Sequence, residues 1–342
     1  MRRLLMAGVV LLGLALIWSQ LAQVQLILDT LQRGNLLWLL LAVAAQQLWL
    51  FNTTLTYRAI YRLLDMRVSS RRLLPLVVTS NFVNVATPSA GMGGMAIFIS
   101  DARRQNLSTP RVTIAGVLFI LFDYFGFLCV LALGLLVLFR RGSLNPAEIA
   151  AALVLFATAF TLAGVLFLGA RSGRRLEQML VWGARVVNRA LSPFIRRPYL
   201  SEERAHDFAT EAAEGLRALR TDRRAYLLPA ALSLVGKALL ITILFLTFLA
   251  FEQPFSVGTL IAGFSMAFLF TIVSPTPSGI GVVETVLPSA LTVLRVPAGT
   301  ALVIALAYRG LTFWLPFAYG FVTLRMLEQR WGKPMEDESS QP

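Results

Sequence analysis

The chain has 342 residues, 57% hydrophobic and only 14% charged, where a soluble domain carries roughly a quarter charged residues. With a mean hydropathy of +0.70, this excludes an ordinary soluble domain and points to an integral membrane protein. The net charge of +13 is carried almost wholly by arginine. No basic and aromatic stretch forms a nucleic-acid-binding module, so the excess is read as loops facing anionic lipid.

Taken in chain order, the apolar runs 4–20, 36–57, 112–139, 146–170, 225–250 and 298–323 are each close to the roughly 20 residues that cross a bilayer. The first follows Arg2 and Arg3 but ends without a small-x-small cleavage site, so it is expected to stay as a helix. Arginine placement gives the orientation. The N-terminus is cytoplasmic, as is the loop holding Arg58, Arg62, Arg67, Arg71 and Arg72. The run 73–100 begins there and ends at Arg103 and Arg104, so both its ends lie on the same side. Its halves are too short to cross alone, and a re-entrant hairpin satisfies both length and charge. Residues 171–224 contain twelve arginines and read as cytoplasmic amphipathic helices that meet anionic inner-leaflet headgroups. The run 255–296 starts and ends on the outer side. It is a second hairpin, entered from the opposite face, or two tight spans. The last span ends inside, before Arg325, Arg330 and Lys333, and residues 326–342 form a cytoplasmic tail.

Both hairpins are broken by the same kind of motif. The first holds Asn81, Asn84, Thr87-Pro88-Ser89, Gly91, Gly93 and Gly94. The second holds Pro275-Thr276-Pro277-Ser278-Gly279, Gly281 and Glu284. Proline removes an N–H and breaks the helix, and glycine lets the chain turn. Such backbone survives at membrane depth only inside protein or along a watery cavity. Two matching copies in opposite hairpins are the mark of an inverted-repeat transporter. Half-helices starting near Gly93 and Gly281 are expected to aim free N–H groups at an anion.

Charges deep within the apolar runs are Asp123, Lys237, Glu284 and Arg309. Each is costly there and functional by default. Glu284 and Arg309 sit on neighbouring elements and can pair, as a structural pair or around a lipid phosphate. Lys237, about 12 residues into its span, is placed to snorkel to the interface. The only cysteine, Cys129, and the only histidine, His206, make no metal-ligand set. No Walker-type phosphate loop is present. We expect no cofactor, no metal and no catalytic residues.

At these residues the sequence resembles the transmembrane region of lysylphosphatidylglycerol synthase/flippase proteins, also called uncharacterised protein family 0104, over about 1–325. The closest resemblance runs from Pro275 to Glu284, and further likeness lies at Asn84–Gly94, Arg103-Arg104, Tyr308-Arg309 and Asp123. Met95 stands where many members carry an acid, and Ser278 replaces a glycine. The soluble aminoacyl-transferase domain of the bifunctional members is not expected here. The resemblance implies a lipid translocase.

The expected fold is an all-α polytopic membrane protein in a single domain, 1–325. It has about six full spans and two re-entrant hairpins in an inverted-repeat-like arrangement. The expected function is flippase-like movement of an amphiphile with a phosphate-bearing headgroup, at the inner membrane of the cell. Its site is expected to comprise Asn84, Thr87, Ser89, Gly91, Gly93, Gly94, Asp123, Thr276, Ser278, Gly279, Gly281, Glu284 and Arg309. A non-transporting scaffold of a lipid-synthesis complex and an intramembrane lipid-modifying enzyme are the alternatives. The partners are membrane lipids and not nucleic acid, and monomer and homodimer both remain open.

Overall fold

The computed structural model of the protein describes residues 25–86, 92–171, 223–274 and 276–332. The first apolar run, most of the arginine-rich insert, Thr87, Ser89 and Gly91 fall outside the described residues. Among those described there is no strand. Ten helices follow in order: α1 (Leu36–Leu63), α2 (Ser70–Ala86), α3 (Met92–Arg104), α4 (Thr109–Arg140), α5 (Pro146–Arg171), α6 (Leu227–Ala250), α7 (Val257–Val273), α8 (Val283–Val293), α9 (Ala298–Arg309) and α10 (Leu315–Gly332). Among the described residues, five stretches are long and apolar enough to cross a membrane: α1, α4, α5, α6 and the continuous run Ala298–Leu327. The chain is therefore an all-α polytopic membrane protein. The arms α2, α3, α7 and α8 are 17, 13, 17 and 11 residues long.

The helix ends follow from local chemistry. Asn35 accepts the Leu37 N–H and starts α1. Ser108 caps α4, with Pro110 in its first turn, and Ser256 caps α7. The end of α1 closes by bonds from Met66 N to Tyr61 O and from Asp65 N to Arg62 O. Asp65 takes the left-handed conformation there, at φ 55°.

Hydrogen bonds fix which helix ends lie together. Asn35 N donates to Ala250 O over 2.8 Å, so α1 and α6 run antiparallel. At that end Arg141, after α4, reaches Ser256 Oγ at 3.0 Å, Thr259 Oγ1 at 3.4 Å and the Leu294 carbonyl at 3.5 Å. It thus ties the end of α4 to both ends of the second hairpin. At the opposite end Arg58 donates to Ser70 Oγ at 3.2 Å, and Arg72 pairs with Asp101 at 3.0 Å. These bonds gather the end of α1 and both ends of the first hairpin. The two hairpins therefore start from opposite ends of the bundle, and their tips meet where α2 touches Pro277–Gly279.

The packing repeats on exchanging the halves. α1 and α6 pack on each other. α4, which follows the first hairpin, holds α7 of the second, and α10, which follows the second hairpin, holds α2 of the first. Close approach uses small residues, as within membranes generally. Gly126 of α4 lies against Ser233 of α6, and Gly320 of α10 lies against Phe82 of α2. Each hairpin has its own apolar cluster. Leu73, Leu76 and Phe98 belong to one, and Phe264, Leu287 and Leu291 to the other.

Candidate functional site

Between the hairpin tips lies a cavity of about 240 Å³. Asn81 and Asn84 of α2 enter from one hairpin, and Ser278 and Val283 from the other. Tyr308, Arg309 and Thr312 come from the last long helical run, and Trp49, Phe264 and Phe268 complete the apolar wall.

The second break owes its shape to three residues in the left-handed region within four positions: Ser278 at φ 50°, Gly279 at φ 70° and Gly281 at φ 82°. Glycine tolerates this freely, whereas serine pays for it. Thr276 is held locally, its N–H donating to Ser274 Oγ at 3.1 Å, and it does not line the cavity.

Glu284 and Arg309 form an ion pair, with Arg309 Nε donating to Glu284 Oε1 at 2.9 Å. Their side chains are 7% (Arg309) and 9% (Glu284) exposed. Glu284 Oε2 also accepts the Gly281 N–H at 2.9 Å. Arg309 Nη2 reaches the Ser278 carbonyl at 3.5 Å, and its guanidinium lies 4.2 Å from the Phe313 ring centroid, a cation–π contact. The helix widens into a π-turn at Gly310–Trp314 immediately after Arg309. Such turns often mark functional sites, and this one bears Thr312 and Phe313 of the wall. Its place could not be read from the sequence.

The expectation that the half-helix N-termini would offer free N–H groups to an anion is corrected at two positions. Gly94 N donates to Asn84 Oδ1 at 2.7 Å, and Gly281 N is taken by Glu284. A donor buried away from water must be satisfied, and here the nearest side-chain acceptor on the same hairpin does so. What the cavity does contain is the Asn81 amide, whose buried Nδ2 has no hydrogen-bond partner. Leaving such a donor unsatisfied costs about 1–3 kcal/mol, so a ligand acceptor here would be rewarded. Gly93 and Gly94 lie in the first turns of α3, behind this lining. Met95 lies over Gly116 of α4 and serves packing.

Asp123 and Lys237 pair with each other, behind the Phe268 wall of the cavity. Lys237 Nζ donates to Asp123 Oδ1 at 2.6 Å and sits 3.9 Å above the Phe268 ring. The Lys237 side chain is 3% exposed, so it does not snorkel. Gly126 and Ser233 bring α4 and α6 close enough for the ammonium to find a carboxylate before it could reach an interface. Phe268 has one face toward this pair and also walls the cavity. Sequence reasoning missed Trp49, Phe268 and Thr312. They come from three distant helices, and only the position of Thr312, three residues after Arg309, hints at a shared face.

Comparison with known proteins adds two similarities. The family described as "Lysylphosphatidylglycerol synthase TM region" matches residues 5–320. A "UPF0104 membrane protein" of Methanothermobacter thermautotrophicus is 23% identical over 301 residues, 86% of this chain and 87% of that protein. No solved structure matches.

Proposed function

The chain belongs to the lysylphosphatidylglycerol synthase transmembrane-region family, and from that premise we propose that it is a lipid translocase whose headgroup site is the cavity between the hairpin tips. Membership itself accords with a lipid-related role in a membrane. The observation that carries the finer reading is a largely apolar cavity bounded by both hairpins, with a few polar groups, Arg309 and Asn81 among them, in its wall. Among the described residues, Arg309 commits Nε to Glu284 and Nη2 to Ser278, which leaves Nη1 for a phosphate oxygen. Arginine favours phosphate through its planar fork of donors, and the Asn81 amide is a second donor. Glu284 holds the guanidinium in place and keeps the empty site near neutral.

A cavity of 240 Å³ is smaller than most ligand pockets, which span roughly 300–1,000 Å³. It suits a headgroup, with the tails remaining in lipid. The hairpins are read as re-entrant, each entering and leaving on its own side of the membrane. The end bearing Arg58, Arg72 and Arg104 is read as cytoplasmic by its arginine content, with both termini on that side of the inner membrane. Exchange of the cavity between the two faces would follow from movement of one hairpin and its holding helix against the other.

The test is scrambling of a fluorescent phospholipid in liposomes containing the purified protein. The reading expects wild-type protein to expose inner-leaflet label to an external quencher faster than empty liposomes do. No acceleration with either anionic or zwitterionic lipids would sink it.

A further inference from the structure

Two further cavities lie along α1, and neither shares a residue with the cavity above. Where α1 ends, a polar cavity of about 620 Å³ is lined by Arg58, Arg62, Arg67, Ser69, Val68 and Asp65. Three arginines against one aspartate leave two net positive charges. Among the described residues Arg62 and Arg67 make no ion pair or side-chain hydrogen bond, and Arg58 has only Ser70 Oγ at 3.2 Å. Arg72 shows the contrast. On the same end of the bundle it is matched to both oxygens of Asp101, at 3.0 and 3.3 Å. The chain thus neutralises one arginine internally and leaves three facing a hollow.

Deeper along α1, where α2 and α10 pack beside it, is an apolar groove of about 460 Å³, with Leu50, Phe51, Leu74, Pro75, Val78 and Leu327 among its walls. At 100° per residue, Gln47 and Phe51 of the groove and Arg58 and Arg62 of the polar cavity fall within about 60° on one face of α1. The groove's deep end at Gln47 lies 11 residues from Arg58, or about 16 Å of helix. That is close to one leaflet of a hydrocarbon core about 30 Å thick. Gln47 Nε2 donates to Tyr319 Oη at 3.1 Å at that end of the groove.

We propose that one anionic phospholipid occupies this cleft, its phosphate among Arg58, Arg62 and Arg67 and one acyl chain in the groove between α1, α2 and α10. Charge complementarity selects the headgroup, and the position of the groove, one leaflet deep on the same helix face, selects a molecule with a chain. A soluble phosphate ion would use the first hollow and leave the second empty. The site is separate from the translocation cavity, so the scrambling assay above can succeed or fail without deciding it.

Native mass spectrometry of the full-length protein in mild detergent, titrated with phosphatidylglycerol or phosphatidylcholine, tests the assignment. Wild type should hold phosphatidylglycerol about tenfold more tightly. Arg62→Gln/Arg67→Gln changes two exposed, unpaired side chains and should fold normally while bringing the two lipids to equal affinity. Leu74→Trp, which fills the groove, should weaken both lipids. Millimolar inorganic phosphate should not displace phosphatidylglycerol. Equal wild-type affinities would overturn the proposal, as would a preference that survives in the arginine variant or lipid binding unchanged by Leu74→Trp. Displacement by free phosphate would reassign the hollow to a soluble anion.

Discussion

Replacing Arg309 with methionine removes the cation of a pair whose side chains are 7% and 9% exposed. Glu284 would keep its bond from Gly281 N at 2.9 Å but lose its counter-charge. Breaking a buried pair on one side costs about 3–5 kcal/mol, because the remaining charge is left uncompensated. Glu284→Gln likewise removes the counter-charge of Arg309, leaving it a neutral amide, the Phe313 face and a weak 3.5 Å contact to Ser278 O. The double variant Glu284→Gln/Arg309→Met is neutral. Its glutamine can still accept from Gly281 N, and methionine keeps most of the side-chain volume, so it should lie within about 1.5 kcal/mol of wild type. The double variant should therefore be more stable than either single one. The departure from additivity should be at least about 2 kcal/mol, against roughly 0.3–0.5 for independent sites. Denaturant unfolding followed by tryptophan fluorescence measures this, and lipid scrambling is read on the same preparations. If Arg309 meets the headgroup, the double variant regains stability and stays inactive. Recovery of scrambling in step with stability would refute the headgroup role and make the pair structural. Single variants within about 0.5 kcal/mol of wild type would refute the burial argument itself.

Asp123→Asn removes the counter-charge of Lys237, leaving it a neutral amide oxygen and the Phe268 face, and should lower stability by about 3 kcal/mol, and Asp123→Asn/Lys237→Met should recover most of it in the same unfolding assay. Asn84→Ala removes the acceptor for Gly94 N and should cost about 1 kcal/mol, as loss of a helix cap does. Gly94→Ala should cost more, because its methyl runs into the Asn84 amide, and combining the two should be less than additive when unfolding midpoints are compared. Arg141→Ala should raise amide hydrogen exchange at the first turn of α7 and the last turn of α8, with no change near Arg58.

Much of the architecture was legible because apolar length and arginine placement report directly on a bilayer. The α4 span expected at 112–139 is observed as Thr109–Arg140, and the two broken segments do start from opposite ends of the bundle. The pairing of Glu284 with Arg309 was readable as two charges on adjoining elements. The partner of Lys237 was not, since Asp123 is 114 residues away and only the α4–α6 contact joins them. Capping at the second break could have been seen in advance. Gly281 and Glu284 are three apart, the spacing at which a carboxylate returns to a helix-start N–H. The wall formed by Trp49, Phe268 and Thr312 has no local signature, because it exists only after distant helices pack.

The exchange of holders between the two halves has a consequence for biosynthesis. When the second hairpin emerges from the ribosome, α4, which will hold it, has already been made. The first hairpin is held by α10, and about 240 residues separate the end of α2 from the end of α10. At 5–20 residues per second the first hairpin waits roughly 12–50 s for its clamp. Until then its broken tip, with Asn81 and Asn84, must be shielded by something other than the finished bundle. A nascent chain arrested before α10 should therefore expose its first half, and not its second, to membrane quality control.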